Sequence, residues 1–142
     1  MMAGIRGRDT KPELRVRKEL FAEGYRYRLH RRGMPGTPDI VLPGRKIAVF
    51  VNGCFWHGHQ HCKLAKIPAT RTAFWAEKLE RNRARDSKVI SSLLDLSWRV
   101  LVVWECFVRE STEVGAIGSA MREWIEGEQR FGELSLPKRA SA

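Results

Sequence analysis

Much of what this chain of 142 residues can do is narrowed by what it has little of. Cysteine occurs three times, an odd number with no paired disulfide framework, which points to reduced thiols and a cytoplasmic address. The opening residues, Met1-Met2-Ala3-Gly4-Ile5-Arg6, lack the apolar stretch of a secretory signal. No apolar run approaches the roughly 20 residues of a membrane span. An amphipathic basic helix or lipid anchor is missing too, so no membrane partner is expected. Acidic residues are outnumbered, 16 Asp and Glu against 26 Lys and Arg, for a net charge of +10 and a pI near 10.2. That excess favours polyanions, because each neutralised phosphate releases condensed counterions, and nucleic acid is the partner it suggests. Internal repeats and low-complexity blocks are also lacking. One domain over residues 1–130 is expected, with a basic arm at 1–9, a flexible tail at 131–142 and a monomeric state.

What is present is enough for a core, since 43% of the residues are hydrophobic. Thr10-Lys11-Pro12-Glu13 has the form of a helix-capping box, with Thr10 as N-cap, and predicts a helix to about Glu23 that stops at Gly24. Glu13 lies in line with Val16 and Leu20, but capping already accounts for it. Tyr25–Leu29 alternates like a strand with one wet face. Asp39–Leu42 and Lys46–Val51 read as a hairpin across Pro43-Gly44-Arg45. A long helix is predicted from Arg71 or Thr72 to Leu96, a strand covered on both faces over Trp98–Trp104, and a last helix around Glu113–Glu126. The order implies a mixed α/β sheet with helices on its faces.

Chemistry concentrates in Val51-Asn52-Gly53-Cys54-Phe55-Trp56-His57-Gly58-His59-Gln60-His61-Cys62, which holds two of the three cysteines and three of the four histidines. Cys106 follows the predicted strand, where the chain can return to the same end of the sheet. Three thiolates and one imidazole make a closed tetrahedral zinc shell of the structural type. Spacing leaves open whether His59 or His61 supplies the imidazole. Asp39, at the head of a strand whose partner leads into His57, suits a Mg²⁺ ion, which prefers oxygen ligands. His57 can then act as a general base on a nearby water. In the long helix, Trp75, Leu79, Val89 or Ile90, and Leu93 form the buried stripe, yet Asn82 and Asp86 interrupt it. Either they bridge another backbone or they reach an active site. Arg6, Arg8, Lys11, Arg15, Arg17 and Lys18 near the amino end suit phosphate contacts, as do Lys78, Arg81, Arg83, Arg85 and Lys88 on the long helix. Phe55 and Trp56, among glycines and imidazoles, have the look of a wedge that opens a base step.

Assembled, these residues resemble those of the very short patch repair (Vsr) endonucleases, a branch of the restriction-endonuclease-like fold. The resemblance runs from the arm through the last helix. Its most specific pieces are Gly36–Asp39, Gly53–His57, Pro68–Trp75 and Trp98–Cys106. It implies a Mg²⁺-dependent nick of one strand of double-stranded DNA beside a T·G mismatch left by deamination of 5-methylcytosine. It further implies Asp39 and the carbonyl of Val51 as magnesium contacts, and His57 as base with Asp86 supporting it. Glu13 and Asn82 would lie around the site. Cys54, His59, Cys62 and Cys106 match the zinc shell, with His61 an alternative in a longer loop. Phe55 and Trp56 match the intercalating wedge, and Met2 falls where the arm inserts a side chain. Val51 and Asn52 stand where relatives can carry Thr and His. The competing readings are a zinc-stabilised DNA-binding module without catalysis and a hydrolase with catalytic zinc, which would need an open coordination position.

Overall fold

The computed structural model describes residues 10–136. Helix α1 (Lys11–Ala22) starts at the expected cap: Thr10 is extended, and its Oγ1 accepts a hydrogen bond from the Glu13 amide at 3.3 Å. Pro12 in the first turn loses no bond, because the first amides of a helix have no partner within it. Val16 and Leu20, one turn apart, bury the apolar stripe. Glu13 departs from its expected capping role. Its side chain turns into the protein, 1% exposed, and meets His30 rather than the Thr10 amide.

Strand β1 (Arg28–Leu29) is shorter than the alternation over Tyr25–Leu29 predicts. Tyr25 instead turns into the core, where its hydroxyl donates to Glu126 at 2.5 Å, and the Tyr27 hydroxyl donates to the Arg17 carbonyl at 3.2 Å. Strands β2 (Ile40–Leu42) and β3 (Ile47–Asn52) form the predicted antiparallel hairpin, closed by a single turn of 3₁₀ helix and Lys46 at φ 53°. Helix α2 (Thr72–Asp95) then crosses over to strand β4 (Arg99–Trp104), which pairs parallel with β3 along its whole length. The short helix α3 (Glu105–Glu110) has no counterpart in the sequence pattern, and α4 (Ala116–Ile125) begins three residues later than predicted.

With a last strand β5 (Phe131–Leu134), one sheet results in the order β1-β2-β3-β4-β5, antiparallel on the β1 side and parallel on the β5 side. Side chains of a strand alternate between faces. Ile47, Val49, Leu101 and Val103 therefore pack against α1 and α4, while Ala48, Val100 and Val102 pack against α2. The molecule is a mixed α/β sheet between helical layers, as the sequence implies.

The flexible tail expected at 131–142 needs correction in its first residues, while 137–142 lie outside the described residues. Phe131–Leu134 form strand β5, parallel to β4, with Val102 opposite Glu133. A parallel strand so short, with every second residue exposed, leaves almost no hydrophobic signature, and only the open edge of β4 reveals its place. Gly132 lies directly against the Trp124 indole, where an added Cβ would come within 2.2 Å of Nε1. Gly132→Ala must displace that ring, and we expect it to lower the unfolding free energy by about 1–3 kcal/mol. Urea denaturation measures this, and an unchanged midpoint would show that β5 is not docked on Trp124.

Candidate active site and metal centre

A cavity of about 830 Å³ opens beyond the ends of the hairpin strands, lined among others by His30, Asp39, Val51, Asn52, His57 and Asp86. Asp39 immediately precedes β2, and its Oδ2 accepts the Val51 amide of β3 at 2.8 Å, so the hairpin register itself aims the carboxylate. Glu13 arrives from α1, its carboxylate 2.6 Å from His30 Nε2 and also bonded to Arg17. Donor atoms of Glu13, His30 and Asp39 all lie within 4.8 Å of one another, a group that can hold a metal ion. Burial above all pushes the Asp39 carboxyl up from 3.8 to about 6, and the Glu13 charge adds to this against the lowering effect of the Val51 amide. Two carboxylates gathered in a poorly solvated pocket fit a divalent cation that would favour their ionised forms.

His57 and Asp86 stand across the same cavity. The imidazole Nδ1 and Asp86 Oδ2 are 2.6 Å apart. An Nδ1–H donated to the carboxylate leaves Nε2 of the neutral ring with its lone pair free to accept a proton. Asn82, one turn earlier on α2, donates from Nδ2 to the Trp56 carbonyl at 2.9 Å. The two polar interruptions of the α2 stripe thus divide the roles the sequence left open: Asn82 bridges to the loop backbone and Asp86 reaches the imidazole. Arg83 donates to the Gly58 carbonyl at 3.0 Å and packs so closely that a Cβ on Gly58, whose φ is 57°, would collide with its guanidinium.

Cys54, His59 and Cys62 of the same loop and Cys106 of α3 bring their sulfur and nitrogen atoms within 4.8 Å of one another. The Cys106 amide donates to Cys54 Sγ at 3.3 Å, and the Cys54 amide donates to Glu105 Oε1 at 3.3 Å. Burial pushes the Cys54 and Cys106 thiols upward, so adjacent thiolates are costly there without a cation. A closed set of three sulfurs and one imidazole nitrogen, with amides donating to sulfur, fits a tetrahedral metal ion and provides no open position for substrate. His61, at φ 57° and exposed, lies outside the group.

Phe55 and Trp56 belong to neither core. They are half-buried and pack on each other at 4.9 Å, and Trp75 of α2 joins them at 5.4 and 6.0 Å. Trp75 thus leaves the buried stripe assigned to it and extends the aromatic group. Three of the expected phosphate contacts, Arg15, Arg17 and the loop-bound Arg83, are structural instead. Arg15 donates to the Val108 and Ser111 carbonyls, both at 2.6 Å, closing the end of α3, while Arg17 pairs with Glu13. Arg85 and Arg32 do line the Asp39 cavity. Met2, Arg6 and Arg8 lie outside the described residues. His30 was missed by sequence reasoning, although as the one histidine outside the loop it was the natural candidate for a second site. Asn52 is 8% exposed at the end of β3, borders the cavity, and makes no side-chain hydrogen bond among the described residues.

Known proteins are similar to this chain in sequence. Residues 1–64 match the family model described as DNA mismatch endonuclease Vsr. The DNA mismatch endonuclease Vsr of Escherichia coli is 45% identical over 135 residues, 94% of this chain and 86% of that protein. The type II nicking enzyme V.XorIIP of Xanthomonas oryzae pv. oryzae is 44% identical over 126 residues, 89% of this chain and 90% of the relative. At this identity and coverage the chain belongs to the Vsr family of DNA mismatch endonucleases.

Proposed function

We propose that this endodeoxyribonuclease nicks one strand of double-stranded DNA beside a T·G mismatch arising from deaminated 5-methylcytosine, with Mg²⁺ as catalytic ion and Zn²⁺ as structural ion. The reading rests above all on one observation: Asp39 and His57 line a single cavity, and Asp86 takes the His57 Nδ1 at 2.6 Å. The names of the relatives and the excess of positive charge support DNA as substrate. The layered mixed sheet accords with the restriction-endonuclease-like branch, three cysteines without a disulfide accord with a cytoplasmic address, and the protein is taken to act as a monomer.

In this reading Asp39, with Glu13 beside it and the Val51 carbonyl, holds Mg²⁺. When bound, the ion supplies Lewis-acid polarisation of the phosphate and offsets charge developing in the transition state. His57 accepts a proton from the attacking water through Nε2, and Asp86 keeps the ring in that tautomer. Asn82 fixes the Trp56 backbone, so Phe55 and Trp56 keep one posture as the base step opens against them. Arg6, Arg8 and Met2 would contact DNA from the arm. Cys54, His59, Cys62 and Cys106 hold Zn²⁺ and with it the geometry of the loop. The second metal group contains His30 and Glu13 as well as Asp39, a wider donor set than the sequence assigns.

Asp39→Ala should lower nicking of a T·G duplex at least about a thousandfold, while zinc content and the folded signal stay intact. Retained activity would remove Asp39 from the chemistry. A parent protein that binds the duplex but cuts nothing with added Mg²⁺ would instead support a binding module. Asp39 also makes stability depend on pH. Its folded value of about 6 lies above the ordinary 3.8, so the folded state holds the proton more tightly and stability falls as pH rises between the two. In buffer without added divalent cation, Asp39→Asn should be more stable than the parent by roughly 2–3 kcal/mol above about pH 6. That gain should shrink through the window and disappear below about pH 4. Denaturation at several pH values checks it, and equal stability at neutral pH would mean the carboxylate is already compensated.

A further inference from the structure

Trp104, the last residue of β4, meets two of the three imidazoles of the loop. The His59 ring lies flat on the indole, with centroids 3.9 Å apart and planes within 5°. The His57 ring meets it nearly edge-on, at 6.4 Å and 77°. The indole is 8% exposed, and its Nε1–H donates to Glu133 Oε2 at 2.8 Å. Glu133 is an exposed residue of β5, delivered there by the pairing of that strand with β4, and it is not one of the four clustered donors.

We propose that Glu133 is a positioning residue for the metal centre, setting through the Trp104 indole the plane of His59 and the flank of His57. The proposal rests on the reading of Cys54, His59, Cys62 and Cys106 as a zinc shell. An indole has one N–H, so one strong acceptor fixes how the ring is turned, and a buried N–H left without a partner is costly. A carboxylate is the strongest acceptor available to it. Its charge also draws the N–H bond dipole outward and enriches the ring face. An imidazole bound to a metal is electron-poor, and it stacks better on an enriched face. Outer partners of ligating histidines commonly change metal affinity 10–100-fold when lost. Here a stacked ring with its own anchor is one such outer partner.

The test uses the full chain, with Zn²⁺ affinity measured by chelator competition and Co²⁺ absorption reporting the ligand field. Glu133→Ala should weaken Zn²⁺ binding about 10–100-fold and shift the Co²⁺ bands. The metal-free protein should remain folded, its unfolding midpoint lowered only by the unpaired indole N–H, and the shift of the Co²⁺ bands is the readout that such a structural loss would not produce. Glu133→Gln, which keeps a neutral acceptor, should recover most of the affinity. Trp104→Phe should reproduce the loss, and adding Glu133→Ala to it should cost nothing more. Parental affinity in Glu133→Ala, or additive losses in the double variant, would overturn the proposal alone. A parent that takes up no Zn²⁺ at all would overturn both it and the zinc reading.

Discussion

Everything at the site hangs on the parallel pairing of β3 with β4. Six residue pairs, from Ile47 opposite Arg99 to Asn52 opposite Trp104, hold the two strand ends side by side. Cys54 then leaves one end and Cys106 the other, which is how sulfurs far apart in sequence come within reach of one another. A parallel pair requires a long crossover, and here the crossover is α2. The same helix that the topology demands also carries Asn82 and Asp86 to the loop, so pairing and polar support come from one geometric requirement.

The site separates two kinds of donor. Three sulfurs and one imidazole gather in one partly buried group, whereas Glu13 of α1, His30 after β1 and Asp39 before β2 gather in a second. Hard cations prefer the oxygen group and borderline-soft ones the thiolates, so the chemistry of the ligands is enough to keep the two ions apart. Between them run Phe55, Trp56 and His57, with both flanks fixed by backbone hydrogen bonds: the His57 amide to the Gly53 carbonyl at 3.2 Å and the His59 amide to the Cys54 carbonyl at 2.9 Å.

What the sequence made legible was local. The Thr10 cap, the hairpin across Pro43-Gly44-Arg45 and the extent of α2 each follow from spacing within one segment, and the structure has them all. The clustering of Cys54 and Cys62 with a loop imidazole was readable for the same reason, although spacing alone did not separate His59 from His61, and the strand before Cys106 indicated where the fourth donor would arrive. Contacts decided by the packing of distant segments were not readable. Strand β5 exists because β4 has an open edge, and Arg15 is committed to the end of α3 by a contact 93 residues away. Glu13 satisfied a local rule so well that its burial beside His30 was hidden behind it. Trp75 obeyed the helical period yet packs on the loop, since periodicity says which face a residue occupies and not what covers that face.

The attachment of the loop to α2 has a consequence for how the protein breathes. Asn82 and Arg83 bind loop carbonyls while Asp86 binds the loop imidazole, so three successive anchors lie along about one turn of the helix. The loop cannot open by itself without leaving these groups unpaired. Its fluctuations are tied to those of the middle of α2, and the two belong to one cooperative unit of local unfolding. Substitutions on the exposed side of that helix, far from either metal group, can therefore alter how often the site is assembled.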